Sequence, residues 1–374
     1  MTFELAAFLR TTLPLDLGRL AAMDSGRYHS IWLPDHLVSF WPDAIWTPEF
    51  TDLAEVSHSP HRHLDAFAIA GSVASLTERA AIATSVVDTV RRHPVMLAQS
   101  AVTLSHLSGG RFILGLGSGE RENTVPYGFD FAHAVDRFEE ALQVIRLLWA
   151  TDGPVDFDGA HFRLHEARLD AELHDGCPPP IWIGANGPRM LAIAGRHADG
   201  WWPTGSDGPE EYAAKLALVR RAAEQAGRDP LAIAPAKMIV CLLGEADEIA
   251  EMLERPLVKS LVLQLTAESL RVRGHQHPMG ERWRGIQDIQ PDRLPRERLL
   301  QLFVEVDGEA ILSVVPHGTP KEVARDIAAF HEAGLQVASV LDYSGMAGQA
   351  FAARSADKVR ETEDEVMRLI GERG

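Results

Sequence analysis

Cysteine is almost missing from this 374-residue chain: there are two, Cys177 and Cys241. They lie far apart and outside any C-x-x-C spacing, which excludes a disulfide framework and a thiolate zinc site. Basic residues are also short, 36 against 53 acids, for a formal charge of -17. That balance argues against a nucleic-acid or anionic-membrane partner, because both reward a basic face. No apolar run is long enough to span a bilayer. The opening M-T-F-E-L-A-A-F-L-R has no basic stretch ahead of its short apolar run, and the expected location is the cytoplasm. Internal repeats and low-complexity tracts are absent from the sequence.

What is present is a regular alternation. Short apolar runs occupy residues 3–9, 30–34 (S-I-W-L-P), 80–87 (A-A-I-A-T-S-V-V), 112–116, 181–184 (I-W-I-G), 200–203 (G-W-W-P), 237–243 and 339–341. Runs that are apolar at nearly every position suit parallel strands buried on both faces. Helix-period segments lie between them. Val135, Phe138, Leu142, Ile145 and Trp149 share one helical face, and Tyr212, Leu216, Val219 and Ala223 share another that Gly227 and Pro230 terminate. Eight strand–helix units predict an α/β fold, a closed (β/α)8 TIM barrel, with an open doubly wound sheet as the alternative. The expectation is one barrel domain over 1–374. The residues beyond the ~250 of a plain barrel fall in two insertions, approximately 152–180 and 256–295. The first holds the hairpin-like F-D-G-A-H-F-R-L, the second the polar R-V-R-G-H-Q-H-P-M-G-E-R-W-R-G.

In such a barrel the site forms where strands end at their carboxyl termini. Strand two ends in Asp35 and His36, strand three in Ser85, Val86 and Asp88, strand four in Gly117-Ser118-Gly119-Glu120, and strand five in Gly184-Ala185-Asn186-Gly187. The strand-four run G-L-G-S-G-E puts a glutamate where G-x-G-x-x-G needs a glycine, and it lacks the G-K-[ST] of a P-loop. The glycines there allow a flat ligand close to the backbone, and Glu120 is free to act as an acid or to hold a histidine. His36 is the second proton-handling candidate. Pro188 after the strand-five glycines suits a helix start, whose free N–H groups can hold an anion. Arg91 and Arg92 are candidates for an anionic cofactor tail. His58, His61 and His63 match no common zinc spacing, and no metal is expected. The stretch 41–63, with Trp41, Trp46 and Phe50, reads as a loop over the barrel mouth.

Four stretches together resemble a known family: W-L-P-D-H; T-S-V-V-D with R-R-H-P-V-M-L-A-Q; G-R-F-I-L-G-L-G-S-G-E-R-E-N; and P-I-W-I-G-A-N-G-P-R-M-L-A-I-A-G-R-H-A-D-G-W. The chain resembles the bacterial-luciferase-like (β/α)8 oxidoreductases, in particular the branch that uses the deazaflavin coenzyme F420, and within it the phthiodiolone-type ketoreductases. The resemblance implies hydride transfer between the cofactor and a ketone or secondary alcohol. It implies His36 and Glu120 as catalytic, and Asp35, Ser85, Val86, Asp88, Gly117, Ser118, Gly119 and Asn123 as bordering the cofactor. It also implies Gly184, Ala185, Asn186 and Gly187 at the cofactor phosphate, Trp41 over the substrate, and a non-proline cis peptide at Ser85–Val86. Asp88 stands where glucose-6-phosphate dehydrogenases of the branch carry threonine, which tells against that activity. An FMN-dependent monooxygenase and a non-catalytic ligand-binding barrel are the alternatives. A homodimer is the expected assembly.

Overall fold

In a computed structural model, described over residues 2–372 apart from Ser206, the eight apolar runs become eight parallel strands. They are β1 (Glu4–Phe8), β2 (Tyr28–Leu33), β3 (Ala81–Thr84), β4 (Phe112–Gly117), β5 (Ile181–Ile183), β6 (Gly200–Trp201), β7 (Ala234–Leu243) and β8 (Val337–Asp342). Each pairs with the next in chain order, and β8 pairs with β1, which closes the barrel. The open doubly wound alternative is thereby excluded. Among the described residues no helix is long and apolar enough to cross a membrane.

Both faces of the wall are buried, as the unbroken apolar runs require. Inside, three indoles meet small residues: Trp32, Trp182 and Trp202 pack with Ala6, Ala83 and Ala236. The Trp32 and Trp202 rings lie 3.7 Å apart and nearly parallel, at 3°. Large side chains from some strands and alanines from others fill a barrel too narrow for eight large ones. Outside, Ile31, Leu33, Ile82, Leu114 and Ile183 face the surrounding helices. Four of those helices, Pro94–Leu107, Pro188–His197, Pro209–Gln225 and Pro320–Glu332, open on proline in the first turn. There its fixed φ helps and its missing N–H costs nothing.

Two features differ from the sequence reading. The third run is not one strand: it stops at Thr84, passes through a cis Ser85–Val86 peptide, and resumes for Val87–Asp88 beside β4. The 256–295 stretch is not merely polar. Its P-L-V-K-S-L-V-L-Q-L portion and the segments after it bury Leu257, Val258, Leu261, Leu270, Leu299 and Ile311 in a second apolar cluster. Ile45 and Leu53 of the 41–63 loop join that cluster. Polar ties also join the two segments: His61 Nε2 to Asp292 at 3.1 Å and Arg296 to Glu49 at 2.6 Å. The residues over the barrel mouth therefore share one small core. In the 152–180 stretch, Val155–Asp158 and Arg163–Ala167 form an antiparallel hairpin.

Candidate active site

At the carboxyl end of the barrel a cavity of about 1200 Å³ is lined by strand-end residues, His36, Val86, Gly117, Glu120 and Gly184 among them. It reaches under Trp41, whose ring packs edge-on against Tyr343 at 5.3 Å. The structure thus brings the ends of β2, β3, β4 and β5 to one space, where the barrel rule places chemistry.

His36 is held by Asn123. The buried Asn123 Oδ1 accepts two backbone N–H groups, from Leu37 at 2.6 Å and Val38 at 3.1 Å. An amide oxygen occupied in this way fixes which end of the side chain is nitrogen. Nδ2 then donates to His36 Nδ1 and to Glu122 Oε1, both at 2.9 Å. Since Nδ1 accepts, the tautomer that this contact selects carries its hydrogen on Nε2. Glu120 Oε2 lies 3.6 Å from the same Nδ1, too far for a hydrogen bond. His36 and Glu120 are therefore neighbours with no direct hydrogen bond between them. His63 faces His36, with ring centroids 5.4 Å apart. Burial, with the two neighbouring histidines, takes the His63 pKa down to about 3, so it is neutral.

Glu122 is the residue the sequence reading missed. It is 1% exposed, its Oε2 has no hydrogen-bond partner, and its carboxyl oxygen, that of Glu120 and a ring nitrogen of His36 all lie within 4.8 Å of one another. Burial first, and the negative Glu120 beside it second, push the Glu122 pKa up to about 11 from its usual 4.5. The folded state then binds a proton that the unfolded state gives up above 4.5, so Glu122's contribution to stability is present below 4.5 and fades as pH rises towards 11. Glu122→Gln is expected to flatten the alkaline decline in melting temperature relative to wild type, measured by pH-dependent thermal melts. An unchanged decline would place Glu122's titration elsewhere.

The end of β3 forms the floor. Trp202 Nε1 donates to Ser85 Oγ at 3.1 Å, seating the cis unit on the indole layer. The strand-four glycines serve this wall before any ligand. A Cβ on Gly115 would stand 1.8 Å from the Thr84 carbonyl oxygen, and one on Gly117 would stand 2.7 Å from Val86 Cγ2. Gly119 has φ +88° and lies against Asp88. Val86 is flanked by Gly117 and Gly184, so its side chain forms a shelf between two stretches of bare backbone.

Asp35 and Asp88 line the cavity, but their carboxylates face inward to arginines. Arg91 bridges Asp35 at 2.8 Å and Asp88 at 2.5 Å, and Arg92 bridges Asp35 at 3.0 Å and Asp65 at 2.6 Å. These arginines, expected at an anionic tail, instead tie the ends of β2 and β3 together. Asp35 is 5% exposed, and removing one partner of a buried pair leaves the other charges uncompensated. Asp35→Ala is expected to cost about 3–5 kcal/mol of stability, read from denaturant unfolding; a change under about 1 kcal/mol would mean the pairs are solvated.

Gly184–Gly187 lead into the helix Pro188–His197, which has no side-chain cap at Gly187. The buried Asn186 Oδ1 has no partner, and a Cβ on Gly187 would meet nothing within 4 Å. Open N–H groups, a positive helix end and open space suit an anionic group. Ser118 and Asn186 line the same cavity. The sequence carried a signal for Glu122, since E-R-E-N repeats a carboxylate two residues on, but only the fold shows that the second is buried.

The luciferase-like monooxygenase family model matches residues 19–336. The chain is 37% identical over 340 residues to the phthiodiolone/phenolphthiodiolone dimycocerosates ketoreductase of Mycobacterium tuberculosis (strain ATCC 25618 / H37Rv), covering 90% of this chain and 89% of that one. It is 34% identical over 221 residues to the F420-dependent glucose-6-phosphate dehydrogenase of Nakamurella multipartita, covering 58% of this chain and 60% of that one. In fold it is similar to an F420-dependent secondary alcohol dehydrogenase solved with an F420-acetone adduct, with a TM-score of 0.74 at 20% identity over 98% of this chain and 99% of that one. With its barrel closed in this order and a family match spanning most of its length, the chain belongs to the luciferase-like monooxygenase family.

Proposed function

We propose that this protein is an F420-dependent oxidoreductase that interconverts a carbonyl compound and an alcohol. The observation that carries this reading is the His36–Asn123–Glu120–Glu122 cluster, set beside the glycine-flanked Val86 shelf and opposite a helix start with free N–H groups. The shelf and its bare backbone fit a flat ring system, and the open turn at Gly184–Gly187, with the helix-start N–H groups as donors, fits its phosphate. Ser85, Val86, Gly117, Ser118 and Gly119 would border the ring. When bound, the deazaflavin supplies a two-electron hydride donor or acceptor at C5. The names of the curated ketoreductase and dehydrogenase relatives support the same reaction class.

The chain's own residues supply orientation and a proton. His36, with its hydrogen on Nε2, donates a hydrogen bond that polarises a substrate carbonyl and then steadies the alkoxide. In that pose both ring nitrogens are committed, Nδ1 to Asn123 and Nε2 to the substrate oxygen. Glu120, 33% exposed at the side chain and lining the cavity, is the group able to pass a proton to the alkoxide oxygen. Trp41 and the segments over the mouth exclude water, which strengthens both contacts. The protein works in the cytoplasm as a homodimer in this proposal, and sedimentation of the purified protein checks the assembly.

A side-by-side titration of the apo-protein with F420 and FMN, followed by cofactor fluorescence, tests the cofactor. Micromolar or tighter binding of F420 alone is the expected result. Preference for FMN would move the protein to oxygen-consuming chemistry, and F420 binding without turnover on a broad ketone and alcohol panel would leave a binding barrel.

A further inference from the structure

Glu122 has no place in the chemistry described so far, yet it is the most deeply buried carboxyl group of the site. At 1% exposure its charge would be costly. The groups facing it are Glu120 on its own turn, the Asn123 amide, and His36 from the end of β2, with His63 behind His36. Among the described residues, no lysine or arginine pairs with it. Oε1 accepts the Asn123 N–H, so any proton on Glu122 sits on Oε2, the oxygen left without a partner. Asn123 therefore serves two groups with two hydrogens, keeping a proton off His36 Nδ1 and off Glu122 Oε1. Two carboxyl groups this close hold a proton between them in preference to two charges.

We propose that Glu122 is a positioning residue that stores the proton of the reaction, sharing one proton with Glu120 and passing it to Glu120 as the substrate oxygen is protonated. The inference rests on the carbonyl–alcohol reading above. In the reductive direction the carbonyl carbon gains the hydride, and the C=O π bond breaks to give the alkoxide. The Glu120 O–H bond then breaks as the alcohol O–H forms. That proton comes from Glu122: its Oε2–H bond breaks as the Glu120 O–H bond forms, and the pair, left as two carboxylates, regains one proton from solvent when product leaves. Oxidation runs the same transfers backwards. Burial and the neighbouring carboxyl let Glu122 hold that proton well above the usual carboxylate range.

The test compares wild type with Glu122→Gln, which keeps the shape and the contact to Asn123 but cannot hand on a proton. On the apo-protein, pH-difference infrared spectra read the protonated-carboxyl C=O band. The expected result is a band that persists at alkaline pH in wild type and is lost in E122Q. In turnover, E122Q is expected to lose about a hundredfold in kcat at alkaline pH, the low end for a lost proton transfer. Its deficit should shrink as the pH falls, with substrate KM near wild type. A purely structural Glu122 would lower kcat equally at every pH. A wild-type protein with no protonated carboxyl at alkaline pH, or an E122Q enzyme with the wild-type pH profile, would overturn the proposal. Should F420 support no turnover in wild type while the band persists and vanishes in E122Q, the reaction assignment falls and the shared proton stands.

Discussion

Replacing His36 by alanine is expected to lower kcat by about 10²–10⁴-fold while F420 affinity stays close to wild type. In the proposed function the ring contacts one substrate oxygen and little of the cofactor. Its Nδ1 is committed to Asn123 at 2.9 Å, and its protonated Nε2 is the edge left for the substrate. A contact strongest when charge develops on that oxygen lowers kcat and kcat/KM together when removed. Asn123→Asp should show part of the same loss through a different cause. A carboxylate facing Nδ1 draws the proton there, strips Nε2 of its hydrogen, and places a new charge beside Glu122. Steady-state kinetics and fluorescence titration of both variants check the pair. Unchanged turnover in His36→Ala would end the assignment of that residue.

Gly115→Ala is expected to destabilise the barrel by about 3 kcal/mol or more, at or beyond the top of the usual overpacking range. The obstacle is a neighbouring backbone: the new Cβ would stand 1.8 Å from the Thr84 carbonyl oxygen. Thr84 cannot withdraw, because its Oγ1 donates to Gly115 O at 2.8 Å and accepts from Gly115 N at 3.0 Å. Gly187→Ala is the control. Its φ of -78° is ordinary and its Cβ would meet nothing within 4 Å, so stability should stay within about 0.5 kcal/mol. Denaturant unfolding of the two variants separates a glycine the wall requires from one it does not. Equal stabilities would contradict the wall argument.

The barrel was legible in the sequence because burial on both faces leaves a plain mark: I-W-I-G, G-W-W-P and K-M-I-V-C-L-L have no polar face to confuse the reading. The break at Ser85–Val86 was not visible in the run A-A-I-A-T-S-V-V itself, where every residue suits a strand, and came only through resemblance. The strand-four glycines announced a close approach without saying by what. They were read as space for a ring, and the nearest atoms at Gly115 and Gly117 belong to Thr84 and Val86. Likewise Arg91 and Arg92 looked free for an anion, because sequence does not show that Asp35, Asp65 and Asp88 converge on them. The 256–295 stretch looked polar because its charged half is conspicuous. The apolar half finds partners in Ile45 and Leu53, some two hundred residues earlier. His36 and Glu120 stood out by ending strands. Glu122 did not, since a carboxylate between an arginine and an asparagine reads as solvated until the fold buries it.

In the proposed function, hydride passes between F420 and a carbonyl carbon at this site. The most direct measurement is an anaerobic single-turnover experiment, in which the protein loaded with reduced F420 is mixed with a panel of ketones and the oxidised cofactor's absorbance is followed. Cofactor oxidation is expected to depend on the ketone, to form one alcohol per cofactor, and to slow sharply in His36→Ala. Oxidation that proceeds only when oxygen is admitted, whatever ketone is present, would contradict the proposed function.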